Sequence, residues 1–151
     1  MLYKNRLKEI REENNTPEKD IAKYLNITQS VYSHYETEYN IIPSKHLIKI
    51  ADYYNVSIDY LFEFTNTKNY KNSKKGYDKE LFNKRLKEFR KEHKLTQNKL
   101  AKELNTTFSV ISGYEIGRRL IATPFLYTIC KKYNLSTDYL LGKIDKPIYR
   151  K

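Results

Sequence analysis

The sequence predicts an all-α chain: two tandem five-helix units joined by a flexible basic linker. Three observations lead there. The 151 residues match themselves without a gap at an offset of 79. Within each copy the apolar residues recur at helical spacing, and no segment reads as a strand. Between the copies lies a lysine-bearing stretch with no apolar periodicity.

The duplication is dense. Arg6-Leu7-Lys8-Glu9 becomes Arg85-Leu86-Lys87-Glu88, and Ala22-Lys23 becomes Ala101-Lys102. Ser30-Val31 becomes Ser109-Val110, Tyr35-Glu36 becomes Tyr114-Glu115, and Asp59-Tyr60-Leu61 becomes Asp138-Tyr139-Leu140. Roughly two-fifths of positions from Arg6 to Glu63 are identical. A unit of about 60 residues can fold alone on a small core.

The elements follow in order. A first helix is predicted near residues 5–13, with Leu7 and Ile10 inward; its match carries Leu86 and Phe89. The second opens at Thr16-Pro17-Glu18, read as a threonine N-cap with proline at the first helical position. In the second copy Thr96 is the cap, one residue later in the alignment. The apolar face is Ile21, Ala22 and Leu25, or Leu100, Ala101 and Leu104. A short turn follows, Asn26-Ile27 or Asn105-Thr106, and Thr28 or Thr107 caps the third helix. The fourth helix covers about 44–54 or 123–133. The fifth starts at Ser57 or Ser136, turned inward through Leu61 and Tyr60, or Leu140 and Tyr139. Residues 65–77 hold four lysines, three asparagines and Gly76, and read as a flexible linker. The expected boundaries are therefore 1–64, 65–77 and 78–145, with a basic tail at 146–151.

Composition narrows the function. Lys and Arg number 29 against 18 Asp and Glu, a net charge of +11 that suits a polyanionic partner. The charge is unevenly divided. Residues 1–64 hold eight basic and ten acidic side chains, net −2; the linker adds +4; residues 78–151 hold seventeen against eight, net +9. No apolar run nears the roughly 18 residues of a membrane span. The N-terminus shows no signal peptide. A cytoplasmic, nucleoid-associated protein is expected, with no membrane partner. A single cysteine, Cys130, excludes an internal disulfide and a Cys-rich zinc site. His34, His46 and His93 have no metal-ligand spacing, and four glycines make no phosphate-cradling loop. No Ser-His-Asp order and no carboxylate pair in an apolar setting are present. No catalytic residue, metal, cofactor or small-molecule ligand is expected. Cys130 aligns with Ala51 and reads as a small core residue; His46 and His93 read as surface or helix-end residues. Tyr35, Tyr54 and Tyr60 recur as Tyr114, Tyr133 and Tyr139, which places them in packing positions rather than on a stacking surface for single strands.

One ordered set of residues carries a family resemblance. In the second copy it is Leu95-Thr96-Gln97, Leu100-Ala101, Leu104, Ser109, Ile111-Ser112, Tyr114-Glu115 and Gly117-Arg118. This resembles the lambda-repressor-like helix-turn-helix family (Cro/CI type, also called XRE). The resemblance covers essentially the whole of each copy, including the ending at Leu135 to Leu140. Small Ala22 and Ala101 allow helices two and three to cross closely. Asn26 and Asn105 replace the family's usual turn glycine, and asparagine tolerates a positive φ. Helix three then projects with its N-terminal half exposed, a shape that fits the major groove.

The resemblance implies roles for particular residues. Gln97 would touch a phosphate, and Thr107 and Thr28 stand with it as phosphate contacts. Bases would be read by Phe108, Ser109, Val110, Ser112 and Gly113 in the second copy. In the first copy the readers would be Gln29, Ser30, Ser33 and His34. Gln29 could pair bidentately with adenine. Phe108 departs from a polar reader; it could pack on a thymine methyl, face a partner or join the core. Gly113 reads nothing by itself. Arg11 with Glu36, and Arg90 with Glu115, are implied as partly buried ion pairs. Arg118-Arg119 is either a solvated turn or a phosphate clamp at the groove edge.

The expected function is a sequence-specific transcriptional regulator of double-stranded DNA, acting as a repressor. The second copy runs nearly to the last residue, so no sensor, protease or ligand domain is expected. On DNA it would act as a homodimer or an intramolecular pseudo-dimer. A linker of about 13 residues reaches at most about 43–47 Å, and half-sites lie about 34 Å apart. The rival is an interaction protein, an antitoxin or inhibitor, in which one or both units bind protein. The copies should be unequal: Gln97 is matched by Glu18, and Gly117-Arg118-Arg119 by Glu38-Tyr39-Asn40. The first would then refine specificity, or serve self-association or another partner.

Overall fold

The structure, a computed structural model, describes residues 5–147. The part of the basic tail from 148 on lies outside the described residues. Among the described residues there are ten α-helices and no strand, and no helix is long and apolar enough to cross a membrane. The chain divides into two compact units, Met1–Lys71 and Asn72–Lys151. The first contains α1 (Leu7–Glu13), α2 (Glu18–Leu25), α3 (Gln29–Glu36), α4 (Ser44–Tyr54) and α5 (Ile58–Leu61). The second contains α6 (Lys79–Glu92), α7 (Gln97–Glu103), α8 (Phe108–Glu115), α9 (Thr123–Lys132) and α10 (Thr137–Leu140).

Each unit closes on its own core. In the first, Leu7, Ile21, Tyr32, Ile42, Leu47 and Leu61 are buried. In the second, Leu86, Leu100, Ile111, Ile121, Leu126 and Leu140 take those places. Cys130 is buried opposite the position of Ala51, as its small volume suggests. Ala22 and Ala101 are buried where α2 meets α3 and α7 meets α8, so no large side chain holds those helices apart. The turn between each pair passes through Asn26 at φ 58° and Asn105 at φ 56°. A β-branched residue would be strained there.

The caps fix the register of each helix. Thr28 and Thr107 accept from the backbone amides of Val31 and Val110 at 3.2 and 3.4 Å. Ser57 and Ser136 do the same for α5 and α10. Such a cap is worth about 1 kcal/mol. One expectation is corrected: Thr16 does not cap α2. Pro17 holds the N-cap position with extended backbone and no side-chain bond. Proline disfavours helical backbone at the residue before it, so Thr16 stays outside the helix. The start of α2 thereby moves into register with Thr96, which caps α7 by accepting from Lys99 at 3.0 Å.

Two further differences from the sequence reading matter below. First, α6 has 14 residues where α1 has 7. Asp78 caps it, accepting from Leu81 at 3.0 Å, and the added turns bring Phe82 into the core. Second, His46 is not a surface residue. It is buried, with Nδ1 3.3 Å from the Tyr35 hydroxyl. Its apolar surroundings, with Lys45 and Lys49 nearby, lower its pKa. His93 does lie at a helix end, with Nδ1 3.0 Å from the Phe89 carbonyl.

The segment at 65–77 forms no helix, but it is tied down on both sides. Arg6 donates to the carbonyls of Tyr60 at 3.0 Å and Thr65 at 2.7 Å, and its guanidinium lies 4.2 Å from the Tyr60 ring centre. Ser57 donates from its backbone to Lys68 O, and Tyr70 donates to the buried carboxylate of Asp59 at 2.8 Å. On the far side, Lys74 N donates to Lys143 O and Lys143 Nζ to Gly76 O at 2.8 and 2.9 Å. Only 71–73 separates these two sets of ties. The first set repeats in the second unit: Arg85 donates to Tyr139 O and Ile144 O. The duplicated unit thus extends past its fifth helix.

Candidate nucleic-acid interface

The third helix of each unit is held by an ion pair. Arg11 Nε donates to Glu36 Oε2 at 2.6 Å and a second guanidinium nitrogen donates to Oε1 at 3.0 Å. Arg90 repeats this on Glu115 at 2.7 and 3.1 Å. A third bond from each arginine closes the turn before the second helix, to Thr16 O or Leu95 O. Helix one, the entry to helix two and the end of helix three are thereby locked together. The glutamates are buried, with side chains only 5% and 1% exposed. The hydrogen-bonded carboxylates raise the pKa of both arginines.

The third member of each cluster differs. In the second unit Gln97 Nε2 donates to Glu115 Oε1 at 3.1 Å, which aims this side chain at the ion pair. In the first unit the matching residue is Glu18, and Tyr32 places its hydroxyl beside Glu36. Burial first, then Glu36, pushes that phenol up. Sequence reasoning missed Tyr32, because its counterpart Ile111 has no polar group.

Backed by these clusters, α3 and α8 turn their first residues outward. Gln29, Ser30, Phe108 and Ser109 are exposed. Phe108 is 51% exposed, so it is not a core residue. Val110, Ser112, Ser33 and His34 are half-buried along the same helices. The His34 ring packs against Tyr39, 4.7 Å between centres. Gly113 is buried, and its carbonyl accepts from Arg118 N at 2.8 Å. The exposed Thr28 and Thr107 hydroxyls already accept a capping bond, which leaves their O–H to donate outward.

Beyond α8 the chain turns at Gly117, φ 79°, and presents exposed Arg118 and Arg119. These arginines line a cleft of about 250 Å³ together with Tyr77, Lys79, Asn83 and Gly117. Lys79 and Asn83 lie on the turns of α6 that begin before Leu86, the match of the first residue of α1. The alignment from Arg6 onward gave no reason to look there. The matching corner of the first unit has Glu38 at φ 64°, followed by exposed Tyr39 and Asn40. Glu38 accepts from Asn5 at 3.3 Å.

The comparisons with known proteins agree with this geometry. A model of the helix-turn-helix family matches residues 7–61 and again 86–140. A stretch of 63 residues is 36% identical to the uncharacterized HTH-type transcriptional regulator YobD of Bacillus subtilis (strain 168), covering 42% of this chain and 56% of that protein. Another of 60 residues is 45% identical to the HTH-type transcriptional regulator ImmR of the same organism, covering 40% of this chain and 47% of that protein. The chain thus spans about half the length of these curated relatives. No solved structure matches it. Matched twice over most of its length, with the same paired helices and the same buried Arg–Glu lock in each copy, the chain belongs to the helix-turn-helix family.

Proposed function

We propose that this chain is a sequence-specific, double-stranded-DNA-binding transcriptional regulator that acts as a repressor, with α8 and α3 entering the major groove. The observation that carries the reading is the exposed N-terminal half of each third helix, braced from behind by a buried ion pair. Its two relatives are both named as transcriptional regulators. On this reading Phe108, Ser109, Val110, Ser112, Gln29, Ser30, Ser33 and His34 face base edges. Arg118, Arg119, Thr107 and Thr28 face phosphates, and Gln97 orients Glu115 while its remaining polar atoms reach the backbone. Phe108, being exposed, supplies apolar contact to a thymine methyl.

A second reading is favoured for the first unit alone. It carries Glu18 and Glu38 beside α3, and exposed Tyr24, Tyr39 and Tyr53. An acid near phosphate opposes binding, so this unit would serve a protein partner or a second copy. Selection of bound fragments from a random DNA pool, followed by titration at two salt concentrations, tests the main reading. A regulator binds one sequence class saturably against competitor DNA. Association that is weak, indifferent to sequence and erased by salt would favour the protein-binding reading.

A further inference from the structure

The outer faces of α3 and α8 differ by a rule. Over residues 29–37 and 108–116 the two copies share five of nine residues. Ser30, Val31, Ser33, Tyr35 and Glu36 recur as Ser109, Val110, Ser112, Tyr114 and Glu115. One of the four differences, Tyr32 against Ile111, is buried in both units. The other three change in the same sense: Gln29, His34 and Thr37 become Phe108, Gly113 and Ile116. At each, a side chain with hydrogen-bonding groups gives way to one with none.

Residues four apart share a helix face. Gln29, Ser33 and Thr37 therefore form one row, and Phe108, Ser112 and Ile116 the matching row. Both ends of each row meet solvent. Gln29 and Thr37 are exposed, and among the described residues the Gln29 amide has no hydrogen-bond partner. Phe108 is 51% exposed and Ile116 61%. Eight residues separate them, about 12 Å along the helix. One row ends in polar groups on both sides of a serine, the other in large apolar groups on both sides of the same serine.

We propose that the two recognition helices read unlike half-sites, so that the DNA recognised by one chain has no internal symmetry. This rests on the DNA-binding reading above and names the kind of sequence it takes. The first helix reads by hydrogen bonds: the Gln29 amide donates to adenine N7 and accepts from its amino group. The second reads by apolar contact: Phe108 packs on a thymine methyl, and Ile116 extends the apolar surface along its row. The serines common to both bond to more than one base and discriminate little. Discrimination lies in the flanking positions, where the copies differ. A half-site suited to one helix suits the other badly. A base edge set for Gln29 loses its water against Phe108 and gains no bond in return, and a methyl set for Phe108 does the same to the Gln29 amide.

The test selects DNA from a random pool with the full chain, then removes single methyl groups from the selected sequence. Two half-sites of different sequence are expected. Deoxyuridine, which is thymidine without its methyl, replaces each thymidine in turn. At a thymine under α8 it should lower wild-type affinity about fourfold, the effect of burying one methyl group. Phe108→Ala should bind both DNAs alike. Gln29→Ala should keep the deoxyuridine effect and relax the preference for one adenine by at least about fivefold. Phe108→Gln combined with Ile116→Thr gives the second row the residues of the first, and reselection should bring the two half-sites together. Thermal unfolding first establishes that each variant is folded. Two alike half-sites selected by the wild type, inverted or direct, overturn the proposal and leave the DNA-binding reading standing, and so does a site with one half only. A folded Phe108→Ala that still senses the missing methyl also overturns it. Wild-type protein that selects no sequence overturns both. If Phe108→Ala instead abolishes self-association in sedimentation and leaves DNA affinity unchanged, the row faces a second copy and the proposal falls.

Discussion

The two units keep the same interior lock and differ at their surfaces in a patterned way. Arg11–Glu36 and Arg90–Glu115 have the same bonds within about 0.1 Å. The clamps of Arg6 on Tyr60 and Arg85 on Tyr139 also recur. Where the side chains meet solvent the pairs diverge. The Tyr24 and Tyr53 rings pack at a tilt, 4.7 Å between centres, on the first unit, where the second has an ion pair between Glu103 and Lys132. Glu38 stands where Gly117 does, and Glu18 where Gln97 does. A buried ion pair is costly to change from either side alone, whereas an exposed residue changes within a few tenths of a kcal/mol. The difference between the copies therefore records which positions hold the fold and which meet solvent.

The largest effect expected is at the shared lock. Arg90→Ala leaves Glu115 buried without its cation and should destabilise the second unit by about 3–5 kcal/mol. Arg11→Ala should do the same to the first. Calorimetry should show one transition lowered in each variant, and a different one in each. DNA affinity should fall only as far as folding does. An unchanged transition with lost DNA binding would make Arg90 a phosphate contact instead.

The next effect concerns DNA and breaks the symmetry. Fragments Met1–Lys71 and Asn72–Lys151 follow the structural division. Titrated with the selected operator at physiological salt, the second should bind at least tenfold tighter, about 1.4 kcal/mol. With a net charge of +11 against zero for the first fragment, and with its arginine turn, it should release more counterions on binding DNA. Equal affinity would remove the proposed division of labour.

The smallest effect is a pH difference. His46 is neutral and buried, and its folded pKa lies below the ordinary value of 6.5. The unfolded chain takes up that proton first, so stability is whole above about pH 6.5 and is lost as pH falls through it. The second unit has Phe125 at this place, with Tyr114 against it as Tyr35 lies against His46. Between pH 7 and 5.5 the first transition should therefore drop more than the second. His46→Phe should abolish the excess, and a persisting excess would assign it to another group.

Much of the fold was legible because it is written locally. Threonine and serine caps, asparagine turns and apolar residues at helical spacing each depend on a few neighbouring residues. Finding them twice at one offset identified every helix of both units. The ion pairs were legible too, through the resemblance and the recurrence of Arg and Glu at one spacing. The candidate site was less so. Gln97 points at Glu115, because an unfilled acceptor on a buried carboxylate draws a nearby amide. His46 looked like a polar surface residue, since nothing in its neighbours says which side of α4 meets Tyr35.

The order of elements, the threonine and serine caps of α3, α5, α7, α8 and α10, the duplication and the uneven charge were determined by the sequence alone, since each rests on composition or on residues a few places apart. Tertiary structure decided what depends on distant segments meeting. It laid residues 65–70 on the first unit and 74–77 on the second, where a lysine-rich stretch read as a free linker. It buried His46, and it brought Lys79 and Asn83 over Gly117 beside Arg118 and Arg119. The physical reason is the same in each case: a charged or polar side chain has no fixed fate until packing decides which partner or how much water it meets.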